Sequence, residues 1–179
     1  PEVIGNGVDA EFFKPADQPR QSRRLRVLFS GNLRHQKGID TVYRLAGELS
    51  DCCEFMVAAG LRGKTDAPPS SIRFLGRVPS ERMPEVYRDA DVLLLPTRSE
   101  GMSLVTLEAM ASGLPVVTSD IPAQRELLRD GEGGFLHPPE DFPGFARSLR
   151  VLAGEPGRRL QMGLSNRERV VECFSEQRM

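Results

Sequence analysis

The sequence predicts an α/β fold: a Rossmann-like, three-layer α/β/α domain with a parallel sheet of about six strands. Three observations carry this expectation. Short apolar segments alternate with stretches of about ten residues that have helical periodicity, the pattern of βαβ crossovers. The run Val92-Leu93-Leu94-Leu95 is apolar without a break, as a strand buried on both faces requires. Glycine-bearing or loop-like segments follow apolar ones at residues 31–38, 76–78 and 96–103, the places where open α/β sheets hold ligands. A length of 179 residues suits one domain with a sizeable core and is thin for two.

Taken in order, Leu25 to Ser30 reads as the first strand, and Ile39 to Leu49 as a helix with apolar residues at 39, 42, 45, 46 and 49. Glu54 to Ala59 is the second strand and Ser71 to Leu75 a short third. Ser80 is placed as the N-cap of a helix over 81–89. Val92 to Leu95 is the fourth strand. A helix over 103–112 follows, stopped by Gly113 and Pro115. Pro115 to Thr118 is the fifth strand, Ala123 to Arg129 a short helix and Gly134 to His137 the sixth strand. Helices over 141–153 and 157–172 close the chain, and residues 15–24 and 61–70 read as loops.

Composition narrows the function classes. With 24 basic and 25 acidic residues the net charge is −1, without the basic excess of a nucleic-acid binder, and the basic run from Arg20 to Arg26 reads as a solvated loop. No apolar run approaches the roughly 20 residues of a membrane span. Cys52, Cys53 and Cys173 have no paired spacing, which points to a reducing compartment and a cytoplasmic setting. The opening residues lack an initiator Met and a signal peptide, so the expectation is a domain excised from a longer chain.

Two motifs resemble known sites and are set aside. Ala58 to Thr65 is similar to a P-loop, but paired prolines at 68 and 69 forbid the helix that would hold phosphate. Asp89-Ala90-Asp91 has the spacing of a metal-binding carboxylate pair, yet it precedes the strongest strand instead of following it. It reads as a structural turn, and no protein-held metal is expected.

Two segments carry chemistry. In Gly31-Asn32-Leu33-Arg34-His35-Gln36-Lys37-Gly38, a strand ends and a helix begins across two glycines, with Lys37 beside the helix start. The readings are a diphosphate cradle or an ordinary turn with a surface lysine. In Thr97 to Met110, Glu100 lies in a loop and Glu108 one to two turns into a helix, roughly 8–12 Å apart at helical rise. Carboxylates are double acceptors for vicinal hydroxyls, and two of them flanking a helix N-terminus suit a nucleotide sugar. A glutamate inside an otherwise apolar helix is costly unless a structural partner or a ligand satisfies it.

Glu100-x7-Glu108, followed by Ala109-Met110-Ala111-Ser112-Gly113-Leu114-Pro115-Val116-Val117, resembles the signature of the large retaining glycosyltransferase family of the GT-B fold, family 4. Gly31-x-Leu33-x-x-x-Lys37-Gly38 is similar to that family's phosphate loop. Asn6-Gly7-Val8-Asp9 with Phe13 resembles the segment joining its halves, and residues 131–136 its later turn. The resemblance covers nearly the whole chain. It implies a single C-terminal donor-binding domain over 1–179, with 1–24 as interdomain segment and loop and an N-terminal acceptor domain elsewhere in the protein. It implies catalytic roles for Lys37, at the donor diphosphate, and Glu100, at the sugar hydroxyls. Gly101, Met102, Ser103 and Leu104 then offer backbone N–H groups, Glu108 holds the ribose, and Arg77 and Val78 flank the base. Gly31, Asn32 and Arg34 complete the substrate-binding set.

The implied donor is a UDP- or GDP-linked hexose, with no other cofactor. The implied acceptor is a glycan, lipid or small molecule, with no nucleic-acid partner and with membrane contact only through the other half, at the inner face. One departure matters: the family commonly has Arg where this chain has Asn32, and asparagine lacks the permanent charge and donor fork. Either Arg34, two residues on, compensates, or donor affinity is weaker or the diphosphate pose altered. The alternatives are a non-catalytic binding module of the same fold and a related sugar epimerase or glycogen-synthase-like enzyme.

Overall fold

Six segments rich in Val, Leu, Phe and Met form the strands; the four inner ones are buried almost throughout and need no polar alternation, while the two edge strands are partly exposed. In the computed structural model, which describes residues 7–18, 23–60 and 70–175, the order is β1 (Leu25–Ser30), α1 (Ile39–Glu48), β2 (Cys53–Ala58), β3 (Ile72–Gly76), α2 (Met83–Arg88), β4 (Val92–Leu95), α3 (Leu104–Ala111), β5 (Val116–Ser119), α4 (Pro122–Leu127), β6 (Gly134–His137), α5 (Phe142–Gly154) and α6 (Pro156–Cys173). The strands form one sheet in the order β3-β2-β1-β4-β5-β6. Every pairing is parallel, with Val27 beside Val92 and Leu28 beside Leu93 at the centre.

The α/β, Rossmann-like expectation is therefore correct. All four β4 side chains are buried, as their unbroken apolar run requires. The chain leaves β1 toward one edge of the sheet and returns to build the other from β4. Right-handed crossovers then place helices on both faces, and a crevice opens between the loops that follow β1 and β4. That crevice fixes where the site can be.

Three features differ from the sequence reading. Ser80 does not cap a helix. It begins a 3-10 turn, Ser80–Arg82, its hydroxyl bonds to Glu81, and α2 starts only at Met83 with Pro84 in its first turn, where a missing N–H costs nothing. Pro79 and Pro84 bracket this turn and leave a cap at Ser80 no role.

Second, the approach to α1 contains a 3-10 turn, His35–Lys37, before Gly38 starts the helix. Third, part of the segment expected to be interdomain is built into the core. Val8, Ala10 and Phe13 are buried, Val8 pairs with Ser175, and Arg167 donates to the carbonyls of Ala10 at 2.6 Å, Phe13 at 2.8 Å and Ala111 at 2.9 Å. Asn6, Arg20 and residues 61–65 of the P-loop-like stretch lie outside the described residues. Among the described residues, no helix is long and apolar enough to cross a membrane.

Candidate functional site

The loops after β1 and β4 lie side by side at the carboxyl end of the sheet. Two backbone features force them together. Gly38 has φ +76°, which a side chain resists, and a Cβ there would sit 2.0 Å from the Pro96 carbonyl oxygen. The Arg98 N–H donates to the Gln36 carbonyl at 2.8 Å, and the Thr97 hydroxyl donates to the same oxygen at 3.2 Å.

This seam brings Lys37 and Glu100, 63 positions apart, into direct contact. The Lys37 ammonium donates to both carboxylate oxygens of Glu100, at 2.5 and 2.6 Å, and both side chains are largely shielded. An ammonium carries three N–H donors, so one remains for a further acceptor.

Helix α3 begins beside this pair. Ser103 is its N-cap, with its hydroxyl accepting from the Thr106 N–H at 3.4 Å. The first N–H groups of a helix have no intrahelical acceptor, so those of Leu104 and Val105 remain at its open end with the positive end of the dipole. Met102 and Leu104 are exposed apolar side chains on the same rim. Gly101 has open space where a Cβ would be, so no packing among the described residues demands glycine there.

One turn and more into α3, Glu108 has a structural partner and also stands at a cleft. The Tyr87 hydroxyl donates to it at 2.8 Å, while the carboxylate also lines a cleft of about 710 Å³. Burial pushes the Glu108 carboxyl above its usual range, and the Tyr87 hydrogen bond pulls it back only in part. Burial also raises the Tyr87 hydroxyl, and the neighbouring Glu108 charge raises it further, so Tyr87 stays a neutral donor. The cleft is walled by Gly31, Gly60, Arg77, Val78 and Met83, which places three of the predicted residues, Gly31, Arg77 and Val78, with Glu108. Asn32 and Arg34 are exposed on the loop after β1.

Arg98 was not anticipated from sequence. It bonds across to Asp40 and Glu140, and partial burial of Asp40 is outweighed by the Arg98 bonds, which hold that carboxyl below its usual range. Its only sequence signal is a charged residue between buried Thr97 and Glu100.

Two other constellations are structural. Asp89 and Asp91 stand at the amino end of β4, away from the cleft-side loops, where Asp89 pairs with the Arg26 guanidinium and Asp91 accepts from the Arg26 N–H at 2.7 Å. His137 lies 2.7 Å from the Ser148 hydroxyl and 3.8 Å from Asp141, which suggests a triad, but Ser148 is buried within α5 and Asp141 caps that helix. Burial lowers the His137 pKa, against the opposing pull of Asp141 and Asp130.

Comparison with known proteins gives a consistent picture. The chain is 37% identical over 166 residues to the phosphatidyl-myo-inositol mannosyltransferase of Mycobacterium tuberculosis, covering 84% of this chain and 43% of that protein. It is 30% identical over 187 residues to the D-inositol 3-phosphate glycosyltransferase of Acidothermus cellulolyticus, covering 89% of this chain and 42% of that protein. The chain thus spans less than half the length of these relatives. In structure it resembles HepE of Anabaena in complex with UDP-glucose, with a TM-score of 0.84 at 18% identity over 97% of this chain and 53% of the other, a likeness of fold. Residues 24–155 match the glycosyl transferases group 1 family, and the chain belongs to that family.

Proposed function

We propose that this chain is the C-terminal, donor-binding domain of a retaining GT-B glycosyltransferase of family 4. Residues 1–179 form that one domain, and an acceptor domain elsewhere in the protein completes the enzyme. The intact enzyme moves a hexose from a UDP- or GDP-linked donor to a glycan, lipid or small-molecule acceptor. The observation that carries this reading is the meeting of Lys37 and Glu100 at the α3 N-terminus, beside the cleft that Glu108 lines.

The chemistry follows from charge. As the bond from the sugar to the diphosphate breaks, negative charge grows on the leaving phosphate and positive character on the anomeric carbon. The free N–H of Lys37 and the open N–H groups of α3 stabilise the leaving group. Arg34 supplies the permanent charge that Asn32 lacks. These groups meet the diphosphate without a protein-held metal. Glu100 accepts from the sugar hydroxyls and faces the developing cation. Glu108 accepts from the vicinal hydroxyls of the ribose, and Arg77 and Val78 border the base. The setting is the cytoplasm at the inner face of a membrane, with membrane contact made by the acceptor domain.

Calorimetric titration with UDP, GDP and their hexose conjugates tests this. The expected result is saturable binding of one nucleotide series by the 179-residue chain, with no transfer. Turnover by this chain alone overturns the division of labour. Absence of nucleotide affinity favours a non-catalytic module, the reading that Asn32 supports.

A further inference from the structure

Arg98 uses every donor it has, and its side-chain partners all lie outside the sheet. Its five N–H groups are directed as follows: Nε to Glu140 Oε1 at 2.8 Å, Nη1 to the His35 carbonyl at 2.6 Å and Asp40 Oδ1 at 3.0 Å, and Nη2 to Asp40 Oδ2 at 2.9 Å and Glu140 Oε2 at 3.5 Å. The guanidinium is only 19% exposed although its partners Asp40 and Glu140 are 45% and 76% exposed. His35 and Asp40 belong to the 3-10 turn that carries Lys37 and to the first turn of α1. Glu140 belongs to the loop between β6 and α5. Arg98 itself stands two residues before Glu100.

We propose that Arg98 is a positioning residue of the donor site, fastening the loops after β1, β4 and β6 so that Lys37 and Glu100 are held together in the geometry a diphosphate requires. The proposal rests on the donor-site reading above. With its donors committed, Arg98 does not bind the phosphate; it fixes the residues that do. Its partners are too exposed for the ion pairs to govern the stability of the sheet, since exposed pairs of this kind contribute little. Their effect falls on the position of the loops. A lysine keeps the charge but offers three donors and no planar fork, so it cannot hold two carboxylates and a carbonyl in one plane.

The experiment compares Arg98→Lys and Asp40→Asn with the parent chain, using UDP and GDP as diphosphate probes and uridine and guanosine as probes of the nucleoside cleft. The expected result is a tenfold loss of diphosphate affinity and less than a twofold change for the matching nucleoside. The Arg77, Val78 and Glu108 wall of the cleft is not held by Arg98. Amide exchange is measured on the same samples, and the Lys37 and Gly38 N–H groups, bonded to the Arg34 and His35 carbonyls at 2.8 and 2.9 Å, exchange at least tenfold faster in the variants.

Equal losses for diphosphate and nucleoside assign Arg98 a general structural role and overturn the proposal, as does unchanged diphosphate affinity. Should Arg98→Lys fail to fold, Asp40→Asn decides by the same split, because it breaks the bidentate contact at a half-exposed position. If the parent chain binds none of the four probes, the donor reading fails, and the exchange rates alone decide whether Arg98 fastens the loops.

Discussion

Replacing Gly38 with alanine isolates the seam between the loops after β1 and β4. Two costs add. The residue sits at φ +76°, where an L side chain loses about 1–2 kcal/mol. The new methyl would also lie 2.0 Å from the Pro96 oxygen, roughly 1.4 Å inside the 3.4 Å at which ordinary contact begins. Relieving it means parting the two loops, an overpacking cost of about 1–3 kcal/mol. Gly38→Ala should therefore destabilise the domain by about 2–5 kcal/mol in urea melts. It should also separate Lys37 from Glu100 and weaken UDP or GDP binding at least tenfold by calorimetry. Stability within about 0.5 kcal/mol of the parent, together with unchanged affinity, would refute the claim that this close approach sets the site.

Gly101→Ala should behave in the opposite way. Among the described residues nothing meets its Cβ, and its φ is not positive, so stability stays level or rises by about 0.4–1 kcal/mol, while donor affinity falls tenfold if backbone there approaches a phosphate; an unchanged affinity moves the phosphate elsewhere. Glu108→Gln should keep the fold, melt no lower than the parent and bind nucleotide at least tenfold more weakly. A clear drop in melting temperature with affinity intact assigns Glu108 to structure. Because burial depresses the His137 pKa below its unfolded value near 6.5, the folded state binds fewer protons there. Its contribution is therefore present above about pH 6.5 and is lost as pH falls toward the folded pKa. Stability measured between about pH 7 and 5 should decline on acidification, and His137→Gln should flatten that slope.

The strands were legible because burial leaves an apolar signal in composition, strongest in the inner strands. Val92–Leu95 and Gly134–His137 stand where the apolar pattern put them, and β2 is displaced by a single residue. The α3 boundaries were legible to within one residue, 103–112 expected against Leu104–Ala111, with Gly113 at φ +74° stopping the helix. Contacts between distant residues were not. Tyr87 and Glu108 are 21 positions apart, and Lys37 and Glu100 are 63 apart, so no local periodicity reports either pair. Arg98 shows the same limit, since its partners lie on the connections after β1 and β6, 42 to 63 positions away. The segment at Val8–Phe13 did carry a missed signal: apolar residues at 8, 10 and 13 are more than a loop needs, and all three are buried.

That segment bears on the energetics of the site. The Phe13 ring meets Tyr87 edge-on at 5.8 Å, and the hydroxyl of the fully buried Tyr87 holds Glu108 at 2.8 Å. Glu108 is a carboxylate in an apolar helix, and one hydrogen bond from a neutral phenol leaves most of its acceptor capacity unused. A hydrocarbon of similar volume at 108 would lower the cost of folding, as burial of a charge that is only partly satisfied is unfavourable. Tyr87 thus does something other than neutralise the charge. It fixes one oxygen of a residue that also lines the cleft. The same division holds at Lys37, which gives two donors to Glu100 and keeps one. In both places an internal partner orients a charged group without saturating it, Tyr87 at Glu108 and Glu100 at Lys37.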